Sequence, residues 1–109
     1  MGKGYKIGIG LIFMDEEVLA EAAYVVSSHY RSEVMIALDN VIETPTSISK
    51  KTNIKLKYVS RALTELKNRG IVECINEEAY QARLYELTDL GEQVLEKLLI
   101  FNLIDYNFT

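Results

Sequence analysis

The fold of this chain is decided by residues 44–74, which read TPTSISKKTNIKLKYVSRALTELKNRGIVEC. Thr44 is placed to cap a short helix, and Pro45 suits the first helical position, where no amide hydrogen is needed. Asn53 tolerates the left-handed conformation that ends a helix, so a tight turn is predicted there. A second helix, over Leu56–Arg69, follows the turn. Apolar residues recur in it at spacings of three and four, which predicts a buried stripe formed by Leu56, Val59, Leu63 and Leu66.

After this second helix the sequence pattern changes from helical to extended. Gly70 ends the helix, and Ile71–Ile75 then reads as a strand. Residues 76–82 form a polar loop, and Arg83–Leu87 is predicted to return as a second strand. Thr88 caps a closing helix, which is amphipathic at first and then apolar nearly all round. The segment therefore predicts a β-hairpin followed by a helix.

Upstream of residue 44 the pattern is helical from Asp15 onward. Carboxylates at positions 15–17 suit a helix N-terminus. Ser28 can cap a second helix, and the residues alone leave open whether the segment is one bent helix or two. Before Asp15, residues 5–14 alternate with period two, which predicts a strand-like N-terminal extension over residues 1–14. The predicted inward-facing residues are Val18, Ala22, Val25 and Val26, and then Tyr30, Val34, Ala37 and Leu38.

Charge is distributed unevenly along the chain. The protein has a net charge of −4, yet the 20 residues from 50 to 69 contain seven basic residues and one acid, Glu65, a net charge of +6. Such a concentration in an otherwise acidic chain is typical of a nucleic-acid contact, although a charge run alone also suits a solvated helix face. The basic residues are Lys50, Lys51, Lys55, Lys57, Arg61, Lys67 and Arg69.

Composition excludes several classes of protein. A chain of 109 residues has the length of a single domain. No apolar stretch approaches the ~20 residues that a membrane-spanning helix needs. One cysteine, Cys74, and one histidine, His29, do not suffice for a zinc site, a disulfide or a catalytic triad. Cys74 lies among apolar strand residues, which favours a buried, inert thiol. We therefore expect a cytoplasmic protein that is not an enzyme and carries no cofactor or metal.

The sequence also resembles a known family. The stretches HYRSEVMIAL (29–38), TPTSISKKTNI (44–54), KYVSRALTELKNRGIVEC (57–74) and RLYELTDLGEQVL (83–95) are similar to small archaeal and bacterial winged helix-turn-helix transcriptional regulators of the MarR/ArsR type. The resemblance implies a mainly α fold with a small β-hairpin, the wing, in a winged helix-turn-helix domain over residues 15–95. It covers about two thirds of the chain.

The resemblance implies that the helix at 56–69 is a recognition helix lying in the major groove of DNA. Two features depart from the family pattern: the wing carries Glu77 and Glu78 in place of basic residues, and Ser49 stands where a small alanine is usual. Carboxylates in the wing argue against its insertion into the minor groove. Glu65 is also predicted to point outward from the helix. The residues that the resemblance implies for DNA binding are Lys50, Lys51, Lys55, Lys57, Tyr58, Ser60, Arg61, Thr64 and Arg83.

The closing helix, within residues 89–109, is the second feature that needs a partner. Its end offers apolar side chains on every face, and such a surface must be covered. A second subunit is the favoured cover, which predicts a homodimer; the alternative is that the N-terminal strand folds back onto this helix. The predicted dimer contacts are Leu95, Leu98, Leu99, Phe101, Leu103 and Ile104.

Two functions from different classes follow. The favoured one is a sequence-specific regulator that binds double-stranded DNA as a homodimer. The alternative is a winged-helix protein-interaction module within a transcription or processing assembly, which the acidic wing and the acidic remainder of the chain favour. No residue pattern identifies a small-molecule effector.

Overall fold

The computed structural model describes residues 15–101, which form five helices and one two-stranded antiparallel sheet. The predicted mainly α fold with a small β-hairpin is confirmed, whereas the predicted N-terminal strand lies outside the described residues. In chain order the elements are α1 (Glu16–Val26), α2 (His29–Ala37), α3 (Pro45–Thr52), α4 (Leu56–Asn68), β1 (Val72–Cys74), β2 (Tyr85–Leu87) and α5 (Asp89–Ile100).

The helix boundaries follow from side-chain caps that the sequence carries. The Ser28 hydroxyl accepts a hydrogen bond from the Arg31 amide, so α1 and α2 are two separate helices. Thr44 caps α3 through the Ser47 amide, and Thr88 caps α5 through the Gly91 amide. Asn53 adopts the left-handed conformation, with φ of 62°, and ends α3 as predicted.

The core lies between two helix pairs. α1 packs on α5, and α2 packs on α4, so the apolar stripe of each helix faces its neighbour. Three residues predicted to face inward are exposed: Val26 at the end of α1, Tyr30 at the start of α2 and Leu56, which is 47% exposed. Each of them lies in the first or last turn of its helix, at the edge of the packed interface.

The wing consists of β1, β2 and the loop between them, residues 75–84. Val72 pairs with Leu87, Glu73 with Glu86 and Cys74 with Tyr85. On the other side of β2, Glu43 forms a bridge with Tyr85 through two backbone hydrogen bonds of 2.9 and 3.1 Å. This bridge fixes the start of α3 against the wing. Cys74 is buried, as predicted.

The wing meets α5 at a close backbone contact. The Ile71 carbonyl accepts a hydrogen bond of 3.0 Å from the Thr88 amide, and Gly91 lies directly over the same carbonyl. A Cβ atom at Gly91 would lie 2.1 Å from the Ile71 oxygen. The lack of a side chain at this position therefore sets how closely α5 packs on the wing.

The register of the sheet places two carboxylates opposite each other, and this predicts a pH dependence. A hydrogen bond with Glu73, together with repulsion from Glu73 and Glu92, raises the pKa of Glu86 above its usual value. Because the folded protein holds this proton more tightly than the unfolded chain, stability decreases as pH rises from the usual carboxyl range through the raised pKa. We expect Glu86→Gln to raise Tm at pH 7 and to leave it unchanged near pH 4.

Thermal unfolding of both proteins across this pH range tests the expectation. Glu78→Gln is the control, since it removes the same charge from the exposed loop of the wing rather than from the paired strands. An equal gain in Tm from both variants at pH 7 would contradict the role of the Glu73–Glu86 pair.

Candidate nucleic-acid interface

The outer face of α4 is a continuous polar surface. Its buried stripe is Val59, Ala62, Leu63 and Leu66, which differs from the prediction by including Ala62 and excluding Leu56. The helical period then turns the remaining positions toward solvent. The exposed residues of this face are Lys57, Ser60, Arg61 and Thr64, with Lys55 at the N-cap.

The turn before α4 holds this face in place. Ser49 in α3 donates a 2.5 Å hydrogen bond through Oγ to the Ile54 carbonyl. The serine thus adds to the turn a bond that alanine cannot make. Together with the left-handed Asn53, this bond fixes the angle between α3 and α4.

Four of the seven cations between residues 50 and 69 are available to a ligand. Lys51 pairs with Glu43 at 2.7 Å and also donates to the Ala37 carbonyl at 3.1 Å. Lys67 pairs with Glu77, and Arg69 pairs with Glu21. Within residues 15–101, no carboxylate pairs with the other four: Lys50, Lys55, Lys57 and Arg61. The free positive charge is therefore concentrated at the turn and along the exposed face of α4.

Two residues predicted to point outward from α4 lie on its flank and face α2 instead. Tyr58 is half-buried and stacks on Tyr30, with ring centroids 4.9 Å apart and an interplanar angle of 12°. Glu65 pairs with Arg31 at 2.8 Å. The prediction of an outward Tyr58 and Glu65 is wrong in this respect, because a helix that packs on a neighbour also uses the flanks of its buried stripe.

Arg31 is the centre of a cluster that sequence reasoning missed. Its side chain is only 12% exposed, and it donates to the Tyr24 carbonyl and the Ser27 hydroxyl as well as to Glu65. Its guanidinium lies 3.8 Å from the centroid of the Tyr24 ring, and that of Arg69 lies 4.0 Å from the same centroid. The cluster joins α1, α2 and α4 and so fixes the orientation of the basic helix.

The charged residues of the wing are bonded within the protein. Arg83, predicted to bind DNA, donates to the carbonyls of Ala79 and Glu77, both at 2.9 Å. Glu77 pairs with Lys67 at 2.9 Å; this bond raises the pKa of Lys67 and lowers the pKa of Glu77. One of the two carboxylates in the loop of the wing is thus neutralised, and the Arg83 guanidinium is turned back onto its own loop.

The predicted dimer contacts divide into three groups. Leu95 and Leu98 are buried in the chain's own core, so they present no exposed surface to a second subunit. Leu99 is half-buried against that core, and Phe101 is exposed, as is its neighbour Ile100. Leu103 and Ile104 lie outside the described residues. α5 packs on α1, a contact that the sequence analysis did not predict.

Other kinds of site find no support in the described part of the chain. Among residues 15–101, no three His, Cys, Asp or Glu side chains are arranged to hold a metal ion. The helices in this range are all too short, or too polar, to cross a membrane.

Comparison with known proteins gives the family. A winged helix-turn-helix family model matches residues 31–105, which is more than two thirds of the sequence. The chain belongs to the winged helix-turn-helix family. In the terms of this family, α3 and α4 form the helix-turn-helix, and the hairpin is the wing. No curated protein sequence matches this winged helix-turn-helix chain significantly.

Solved structures agree with the fold. One is the homodimeric winged helix-turn-helix DNA-binding domain of Mb0332 from Mycobacterium bovis, described as a possible ArsR-family transcriptional regulator. It matches with a TM-score of 0.58 and 19% identity, over 94% of this chain and 87% of that one. NadR in complex with 4-hydroxyphenylacetate matches with a TM-score of 0.60 and 21% identity, over 92% and 75% of the two chains. ZitR from Lactococcus lactis matches with a TM-score of 0.60 and 18% identity, over 91% and 74%.

Proposed function

We propose that this protein is a transcriptional regulator that binds double-stranded DNA sequence-specifically as a homodimer, with α4 in the major groove. The observation that carries the proposal is the exposed face of α4, where Lys57 and Arg61 are free of carboxylate partners among the described residues. A helix with such a face fits the width of the major groove and is attracted to its phosphates.

The side chains of this face divide into two roles. Arg61 lies in the middle of the exposed face, where its guanidinium can donate two hydrogen bonds to guanine O6 and N7. Lys57, one turn earlier, is the second candidate for a base contact. Lys50, Lys55 and Ser60 lie toward the turn and the edge of α4, where they suit phosphate oxygens, which fix register without reading sequence.

A homodimer is supported by the end of α5 and by a structural neighbour. Ile100 and Phe101 expose large apolar surface at the point where α5 ends, which is favourable only if it is covered. The Mycobacterium bovis domain with the same fold is described as homodimeric. A twofold axis near α5 would present two recognition helices to successive major grooves, about 34 Å apart.

Binding to duplex DNA across a salt series tests the proposal. We expect the protein to bind a fragment from upstream of its own coding sequence more tightly than random duplex of equal length. If all four free cations of each subunit release counterions, the two candidates for base contacts included, the log–log slope of affinity against salt should be about −7 for a dimer and about half that for a monomer. Sedimentation of the complex gives the number of subunits independently.

The alternative function predicts a different result. A flat salt slope with weak binding to both fragments would contradict DNA binding and favour a protein-interaction module. A steep slope without preference for the upstream fragment would support DNA binding but contradict sequence-specific regulation through that fragment.

A further inference from the structure

The tip of the wing is held by hydrogen bonds within its own loop. The Asn76 carbonyl accepts from the Ala79 amide at 2.9 Å, and the Asn76 side chain accepts from the Leu84 amide at 2.7 Å and donates to the Ala82 carbonyl at 3.3 Å. Arg83 adds its two bonds to the carbonyls of Ala79 and Glu77. The loop therefore has a defined conformation without a partner.

This ordered loop exposes a large aromatic side chain. Tyr80 at the tip is 97% exposed, far more than any other large apolar side chain of the described residues. The loop's own bonds do not involve its ring or its hydroxyl. The ring is therefore free to pack against a partner, and such packing would remove its apolar surface from water.

The surroundings of Tyr80 favour DNA as that partner. A cleft of about 680 Å³ separates the wing from α4. Its lining includes Ser60 on the proposed DNA-binding helix, Thr46 at the start of α3, and Tyr80 itself. With α4 in the major groove, as proposed above, this cleft lies beside the groove and is open to the adjacent strand. Its walls combine hydroxyl groups with apolar surface, which suits the alternating phosphates and deoxyriboses of a strand.

We propose that Tyr80 packs its ring against the deoxyribose of this strand and so anchors the wing to double-stranded DNA without a positive charge. The inference rests on the proposed function and adds a contact to it. The wing's one cation, Arg83, is occupied by loop carbonyls, and Glu77 is neutralised by Lys67. Glu78 is exposed and pairs with no cation among the described residues, so charge does not attract the tip of the wing to phosphate. The aromatic ring supplies the contact instead, and its hydroxyl can reach a nearby phosphate or groove oxygen.

An uncharged contact has a distinctive salt dependence. Only groups that neutralise phosphates release counterions, so the slope of log affinity against log salt counts the cations alone. Loss of the Tyr80 ring should therefore lower affinity by the same factor at every salt concentration. Loss of a phosphate-binding lysine should lower affinity and also reduce the slope, by about one for each contact removed.

The experiment compares Tyr80→Ala, Tyr80→Phe and the control Gln93→Ala in the full chain, using random duplex and the upstream fragment. Gln93 is exposed on α5 and does not line the cleft. We expect Tyr80→Ala to weaken binding to both duplexes about tenfold with an unchanged slope. Tyr80→Phe should retain most of the affinity, and Gln93→Ala should behave as the parent protein. Because Tyr80 is exposed, the variants should share the parent's Tm, which thermal unfolding checks.

The outcomes separate this inference from the proposed function. Unchanged affinity in Tyr80→Ala, with the parent protein still showing a steep salt slope, overturns the role of Tyr80 and leaves DNA binding intact. A reduced slope in Tyr80→Ala also overturns it, because the wing would then act through charge. A flat slope for the parent protein overturns both, and Tyr80 would then be tested as a contact for a protein partner.

Discussion

Replacing Gly91 with alanine is expected to destabilise the protein by about 3 kcal/mol, at the upper end of the usual cost of overpacking. Alanine at an internal helix position ordinarily stabilises a helix relative to glycine by ~1 kcal/mol. Here the added Cβ would lie 2.1 Å from the Ile71 oxygen, a backbone atom that already accepts the Thr88 amide. Either α5 moves away from the wing or the cap of α5 is broken, and both changes cost stability.

Thermal and urea unfolding measure this effect. A loss of this size corresponds to a decrease in Tm of about 10 °C or more for a domain of this length. Gln93→Ala is the matched control, since it adds the same residue to an exposed position of the same helix. A Tm for Gly91→Ala equal to or above that of the parent protein would contradict the close contact between α5 and Ile71.

The second large expected effect is a loss of DNA affinity when the exposed face of α4 is changed. The double variant Lys57→Ala/Arg61→Ala is expected to lose at least a hundredfold in affinity for duplex DNA, because one bidentate contact to guanine alone discriminates by ~1–3 kcal/mol and a dimer loses each contact twice. Both side chains are exposed and free of carboxylate partners among the described residues, so Tm and subunit number should not change. Binding assays and sedimentation on the same preparations check both statements.

Arg61→Lys is the matched control for the double variant. It keeps the positive charge and hence the salt slope, but it lacks the planar fork that donates two parallel hydrogen bonds. We expect it to lose preference for the upstream fragment while retaining its affinity for random duplex. Unchanged DNA affinity in the double variant would exclude α4 as the reading element, whatever the behaviour of Arg61→Lys.

The parts of the fold that sequence reasoning predicted are those with local signals. Ser28, Thr44 and Thr88 each cap a helix through a backbone amide three residues later, and Asn53 ends α3 through its own conformation. Such features depend on a few consecutive residues and can be read directly from the chain. The helix-turn-helix was predicted from these caps, and the hairpin was predicted from the change to an extended pattern after Gly70.

Contacts between distant residues escaped prediction. Arg31 and Glu65 are 34 positions apart, and the ring stack of Tyr30 on Tyr58 also joins two helices. Arginine, glutamate and tyrosine side chains are equally common at exposed positions, so the sequence does not indicate that these residues contact each other. The contacts follow only from the packing of α2 on α4. The pairing of Lys51 with Glu43 has the same character and reduces the positive charge that the sequence assigned to the interface.

The end of α5 shows a further limit. Apolar residues all round a helix predict that it is covered but not by what. Leu95 and Leu98 are covered by their own chain, while Ile100 and Phe101 are exposed. Sequence alone therefore located the apolar surface but placed the boundary between core and candidate interface one turn too early.

The burial of Cys74 has a practical consequence. It is the only thiol of the chain and lies at the end of β1, opposite Tyr85. We expect a thiol-specific reagent to reach its sulfur when the hairpin opens. The ratio of the labelling rates of the folded protein and the unfolded chain then gives the equilibrium constant of local opening, and hence its free energy. The same labelling, repeated with duplex DNA present, would report protection of the wing without any engineered probe.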